Sequence, residues 1–290
     1  MSAITAHVSD TGIHYTSCGP QDSSCTVVCI HGWACRSADF HYIFSDLLKD
    51  DLDFRAIAID LPGHGTSSTK HYPTAGVGSF ARAVLDLIDE LSLPNVVLLG
   101  HSMGVRVIVE TWRQAISAGK PKLRGLCFLD GSHYKFRKSL FAFDSADARS
   151  ASLSDEQKHE KMAEAFDRML SPGTPSEFRQ SALEHVKSID LQYSEAMRSS
   201  FIQYDYDTMD DVLEKVGNTG VPVLSLQATG VDAQNQRAML KEGQDSRWMQ
   251  HVRKLVPEAR TMIVKESGHF PHVDQPGVVA NKLREFVQTL

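Results

Sequence analysis

The sequence predicts an α/β protein: a mainly parallel sheet flanked by helices, with an inserted helical cap. Three observations carry this reading. Short apolar runs alternate with amphipathic stretches in the first 132 residues and again after 219, the rhythm of buried strands and covering helices. Gly100-His101-Ser102-Met103-Gly104 lies between an apolar run, Asn95-Val96-Val97-Leu98-Leu99, and the helical run that starts at Val105. From about 133 to 218 the strand patterns stop and helical ones take over. A chain of 290 residues is long enough for one large domain with an insertion. The expected division is a core of 1–132 and 219–290 and a cap of 133–218.

Taken in order, residues 4–17 read as a two-stranded ribbon turning at Asp10-Thr11-Gly12. Cys25 to Ile30 is the first buried strand and ends in His31-Gly32-Trp33. A helix over about 38–49 follows, with Ile43, Phe44, Leu47 and Leu48 on its apolar face. Phe54 to Ile59 is the next strand, and Val84, Leu85, Leu87, Ile88 and Leu91 give a helix near 78–91 its inner face. Leu123 to Leu129 is a strand that stops at Asp130-Gly131-Ser132. In the insertion, helices are expected near 154–170, 176–190 and 194–204. Ser154 with Gln157 fits a capping box, and Ser176 is expected to cap the second helix. Strands at Val221 to Leu226 and Thr261 to Val264, with helices near 245–255 and 276–288, complete the core.

Composition narrows the function. Hydrophobic content of 42% and charged content of 23% are those of an ordinary globular protein. A net charge of −6 without a basic run argues against nucleic acid as a partner. No apolar stretch approaches the ~20 residues that span a bilayer, and the first residues carry no secretory signal. The five cysteines form no C-x-x-C pair, and Cys25, Cys29 and Cys127 read as buried thiols of a reducing compartment. The expectation is a cytoplasmic protein with a small-molecule substrate, no membrane partner, and a homodimer as the oligomer to test.

The chemistry centres on Ser102. Strand, G-x-S-x-G and helix together form a nucleophile elbow, with the serine in a strained turn and its hydroxyl above the sheet. A serine needs a base, and His269, in the loop straight after the last strand, can reach the same sheet edge. The orienting acid is Asp130 or Asp232, each beyond a strand end on that edge. Backbone N–H groups of Trp33 and Met103 are the expected oxyanion donors. His31, His64 and His101 sit in turns that local hydrogen bonding explains. No His, Cys or Asp cluster has metal-ligand spacing, so neither a metal nor a cofactor is expected. The aromatics Tyr134, Phe136, Phe141, Phe143, Phe166, Phe201, Tyr204 and Tyr206 supply the cap with an apolar underside.

His31-Gly32-Trp33, Asp60-Leu61-Pro62-Gly63-His64-Gly65-Thr66-Ser67, Gly100-His101-Ser102-Met103-Gly104 and Gly268-His269-Phe270, in this order, resemble the α/β-hydrolase family over essentially the whole chain. The resemblance implies the α/β-hydrolase fold and a Ser/His/Asp triad. The family usually takes its acid from the loop after the strand at 221–226, where the expected position falls on Val231 and Asp232 is one place late. Some members take it from the previous strand end, and Gly125 to Asp130 is similar to that arrangement in register. Asp130 is therefore the expected acid, with Asp232 the alternative. The implied activity is acyl-enzyme hydrolysis of an ester, thioester or lactone, or of a C–C bond, in a small to medium apolar or aromatic substrate. The alternative is a cofactor-free dioxygenase opening a quinolone-type ring. That branch is similar in its early acid, in Gly32-Trp33 and in His269 to Pro276. It differs at Met103 and Ala34-Cys35-Arg36, where the branch carries extra histidines. Epoxide hydrolases and haloalkane dehalogenases need Asp at the place of Ser102.

Overall fold

The apolar runs assemble into one twisted layer. In the computed structural model, residues 3–119, 123–136, 153–232 and 236–290 are described. Among them, eight strands form a sheet: β1 (Thr5–Val8), β2 (His14–Cys18), β3 (Thr26–Ile30), β4 (Arg55–Ile59), β5 (Val96–His101), β6 (Leu123–Leu129), β7 (Val223–Gln227) and β10 (Arg260–Ile263). Their spatial order is β1-β2-β4-β3-β5-β6-β7-β10. Only β1–β2 and β2–β4 pair antiparallel; from β4 to β10 every pairing is parallel. The order reverses at β3, which has β4 on one side and β5 on the other. That switch point opens a crevice beyond the carboxyl ends of β3 and β5.

Alternation along the strands fills two apolar layers. Leu98, Ile57, Val28 and Phe128 face α2 (Val77–Glu90), α3 (Gly104–Ser117) and α8 (Arg247–Leu255), packing with Phe80, Val105 and Trp248. Leu99, Val97, Ala58 and Cys127 face α1 (His41–Leu47) and α10 (Pro276–Val287), packing with Phe44 and Phe286. Covered on both faces, β3, β4 and β5 are buried at every position, as near-continuous apolar runs require. The five cysteines are free thiols, and Cys25 is half-buried rather than buried. No helix among the described residues is long and apolar enough to cross a membrane.

The insertion folds as α4 (Asp155–Asp167), α5 (Ser176–Ser188), α6 (Leu191–Asp207) and α7 (Met209–Thr219). The capping box forms: Gln157 N–H donates to Ser154 Oγ at 3.2 Å and Ser154 N–H to Gln157 Oε1 at 2.9 Å. Ser176 does not cap α5. Pro175 takes that position and Ser176 is the first helical residue, because proline's fixed φ suits the entry to a helix. Helix α7 lies beyond the helices expected from sequence. Its Met209, Val212, Leu213 and Val216 join the apolar layer of α2 and α3. A hairpin of β8 (Thr229–Val231) and β9 (Arg237–Met239) also goes beyond the sequence reading and leaves the sheet after β7. A short helix, α9 (Pro271–Asp274), precedes α10.

Candidate active site

The elbow is built by close approach. A Cβ on Gly100 would stand 2.4 Å from the Gly104 carbonyl oxygen, and one on Gly104 would stand 2.3 Å from the Ile30 oxygen. Only glycine lets β5 turn into α3 against β3. The turn leaves Ser102 at φ 54°, a left-handed conformation that a serine holds only when its surroundings enforce it. Ser102 N–H donates to the Leu129 carbonyl at 3.0 Å, which ties the elbow to the end of β6.

His269 arrives from the loop after β10. Its N–H donates to the Met169 carbonyl at 2.9 Å, and the preceding Gly268 N–H to Asp274 Oδ2 at 2.7 Å. Its Nε2 lies 2.8 Å from Ser102 Oγ and its Nδ1 2.5 Å from Asp130 Oδ2. Nδ1–H therefore donates to the carboxylate, and Nε2 is left to accept the serine proton. Beneath the ring, His101 donates Nε2–H to the His269 carbonyl at 2.7 Å. Burial, with His269 adjacent, drives the His101 pKa down to about 3, so it stays neutral.

Asp130 is fully buried and, like Ser102, left-handed, at φ 44°. Its Oδ1 accepts the N–H groups of Ala228 and Thr229 at 2.7 Å each, and its Oδ2 accepts Thr229 Oγ1 at 2.6 Å. Arg237 Nη1, from β9, adds a contact to Oδ2 at 3.2 Å and stands 3.1 Å from His269 Nδ1. Burial raises the Asp130 pKa, and Arg237, Thr229 and Ala228 oppose it. Asp232 sits elsewhere: it is exposed at the end of β8, and its carboxylate accepts the Gln236 N–H at 2.8 Å. The structure thus brings Ser102, His269 and Asp130 together and leaves Asp232 on the hairpin.

A pocket lies over Ser102, walled in part by Gly32, Trp33, Met103, Tyr134, Phe201 and Phe270. Met103 stands at the start of α3, where helix geometry leaves the first N–H groups without intrahelical partners. Trp33 follows Gly32 on the opposite side, and its indole Nε1 donates to Ser194 Oγ of α6 at 2.9 Å. Of the insertion's aromatics, Tyr134 and Phe201 reach the pocket. Phe166 packs on Phe270 with centroids 5.2 Å apart, Phe136 packs on His133, Tyr204 is buried in the core and Tyr206 is exposed. Phe141 and Phe143 lie outside the described residues. His31 accepts the Leu61 N–H on Nε2 at 3.0 Å, and His64 Nδ1 bonds the Pro62 carbonyl at 3.1 Å.

Three arginines on the pocket wall were missed from sequence: Arg106, Arg198 and Arg237. Arg106 follows Ser102 by four residues, so helical spacing from the elbow could have found it. It forms a buried pair with Asp205 of α6, at 2.8 and 2.5 Å, and lies over the Tyr134 ring. Arg198 bonds Glu195 at 3.0 and 2.9 Å. Against the expectation of no metal cluster, His133, Asp210 and His251 converge beside the insertion.

A model of the alpha/beta hydrolase family matches residues 27–282. A serine hydrolase-like protein of Danio rerio is 39% identical over 84 residues, which is 28% of this chain and only 24% of that protein's length. A Bacillus subtilis (strain 168) protein, provisionally named as a 2-succinyl-6-hydroxy-2,4-cyclohexadiene-1-carboxylate synthase, is 25% identical over 100% of both chains. An esterase from Exiguobacterium antarcticum superposes with a TM-score of 0.73 at 19% identity, over 98% of this chain and 99% of the other.

Proposed function

The chain belongs to the alpha/beta hydrolase family, and we propose that it is a serine hydrolase cleaving a carboxylic ester, thioester or lactone through an acyl-enzyme. One observation carries the proposal: the continuous hydrogen-bonded line from Asp130 through His269 to Ser102 Oγ at the floor of the pocket. Ser102 Oγ attacks the carbonyl carbon as its proton passes to His269 Nε2. Asp130 holds the ring by Nδ1–H and stabilises the imidazolium. The N–H groups of Met103 and Trp33 receive the oxyanion. His269 returns the proton to the leaving oxygen or sulfur, and water then repeats the sequence on the acyl-serine. Trp33, Tyr134 and Phe201 suit an apolar or aromatic body. The wall arginines suit a substrate that also bears a carboxylate or carbonyl acceptor.

A fluorophosphonate probe tests the reading. Mass spectrometry should find one adduct, on Ser102, together with hydrolysis of a small aryl ester; an unlabelled Ser102 in folded protein would reject the acyl-enzyme.

The acid's position, directly after β6, favours a second reading, a cofactor-free dioxygenase in which His269 deprotonates a ring hydroxyl of a quinolone-type substrate. Oxygen uptake with such a substrate, at negligible ester turnover, would select it.

A further inference from the structure

His133, Asp210 and His251 come from three separate elements: the turn after β6, the first turn of α7, and α8. Their donor atoms all lie within 4.8 Å of one another. Asp210 Oδ1 sits between the rings, 3.0 Å from His133 Nε2 and 2.8 Å from His251 Nε2. The rings are nearly perpendicular, at 84°, and Phe136 packs on both with centroids 5.3 and 5.2 Å away. Lys135 Nζ holds the second oxygen, Oδ2, at 2.9 Å, which fixes Oδ1 toward the histidines. His133 is buried, whereas the Asp210 side chain is one-third exposed, so an ion has a route in from solvent.

We propose that these three side chains form a binding site for a transition-metal dication, with Zn²⁺ as the fitting ion. Two imidazole nitrogens and one carboxylate oxygen, with a water completing four-coordination, are a donor set that zinc accepts. Bonds of ~2.0–2.1 Å in tetrahedral geometry place donors about 3.4 Å apart, so the two carboxylate–imidazole distances open by about half an ångström to admit the ion. Each ring then bonds through the Nε2 lone pair and carries its proton on Nδ1. For His133 this moves the ring proton to Nδ1 and gives up the Lys135 N–H bond that Nδ1 accepts at 3.1 Å; Asp205 Oδ2, 3.7 Å away, accepts the proton only if the ring shifts toward it.

The site also bears on the pocket. Ser132 and Tyr134, which flank His133, are wall residues, and Asp205 is the partner of Arg106. An ion here clamps the insertion's first turn and α7 to α8 of the core, just outside the catalytic floor.

The test uses untagged protein freed of metal, titrated with ZnCl₂ by calorimetry and thermal melting, with Co²⁺ absorption as a coordination readout. One equivalent should bind, Tm should rise by about 5 °C at zinc a hundredfold above Kd, and Co²⁺ should give tetrahedral visible bands. His251→Gln and Asp210→Asn keep the volume at partly exposed positions and so avoid the folding risk of changing His133. Both should weaken zinc by more than the ~10–100-fold typical of losing an outer-shell partner and abolish the Co²⁺ bands. Equal binding by wild type and variants would overturn the site, the ion being held elsewhere. No binding by wild type would overturn it too, leaving a hydrogen-bonded cluster.

Discussion

The two walls of the pocket are held by different physics. The floor is fixed by main chain: parallel register from β3 to β10, glycines with no room for a Cβ, and left-handed residues at Ser102 and Asp130. The roof is held mostly by side chains that cross from the insertion to the core. They include the Arg106–Asp205 pair, Trp33 to Ser194, Tyr193 Oη to the Pro62 carbonyl at 2.8 Å, and Val77 N–H to Ser200 Oγ at 3.1 Å, beside one main-chain bond, His269 N–H to the Met169 carbonyl. Backbone constraints allow one geometry, whereas side-chain clamps can be exchanged singly. Under the proposed function, the floor sets the chemistry and the roof chooses the substrate.

The sharpest way to break that contrast is at the floor. Ser102→Ala, with Tm little changed, and Asp130→Asn, with some loss of Tm because Arg237 loses its buried counter-ion, should each lower kcat by ~10⁴ or more, while Asp232→Asn costs less than about tenfold. Steady-state kinetics on one aryl ester decides it; a severe Asp232→Asn with a mild Asp130→Asn would move the acid to the hairpin.

At the roof, Asp205→Ala leaves the Arg106 guanidinium buried without its counter-ion and removes the acceptor of the Tyr134 N–H at 2.6 Å. Breaking such a pair costs ~3–5 kcal/mol, read as a shift in urea unfolding, and KM should rise while kcat for a small ester stays within about tenfold. A kcat collapse in folded protein would show that the roof sets the triad.

Acid tests the floor as well. Burial pushes the floor histidines His31, His64 and His101 down to about 3 and His272 well below its ordinary value. Between pH ~6.5 and 3 the unfolded chain takes up protons that the folded chain refuses. Stability is therefore full above ~6.5 and falls as pH drops, by up to tenfold in the folding constant per histidine per pH unit. Urea midpoints from pH 7.5 to 4 should fall with this slope, reduced where Asp39, raised to about 6 by burial, takes up its proton in the fold; midpoints that rise down to 4.5 would mean that these rings are protonated in the fold.

The smallest effect expected is at Phe201→Leu, which trims the pocket without emptying it. KM for a bulky aryl ester should change several-fold more than KM for an acetate ester. Equal changes would make Phe201 structural only.

Much of the floor was legible because its signals are local. Strand ends, the elbow glycines and the residue directly after a strand all sit within a few positions of the chemistry they position, so Ser102, His269 and Asp130 could be picked out. Arg106 carries a readable signal in its four-residue offset from Ser102. Met209, Val212, Leu213 and Val216 have the same helical spacing, but α7 is a single short helix at the edge of the insertion, where the strand rhythm resumes. The hairpin gave no such cue: β8 and β9 are three residues each and partly exposed, too short for alternation to show. Arg237 was hidden with them. His133 and His251 meet Asp210 across 77 and 41 positions from three elements, and no local spacing rule spans such distances.

The line from Asp130 to Ser102 also sets a clock. Its bonds join residues 139 and 167 positions apart, so the serine acquires its base only when β10 has docked beside β7. During synthesis, which delivers the amino-terminal strands first, a ribosome-bound chain can hold a finished elbow and remain inert until residues beyond 269 have emerged. On the proposed triad, reactivity at Ser102 is then a timer for completion of the sheet. A covalent probe added to nascent chains of increasing length should switch from silent to reactive in one step.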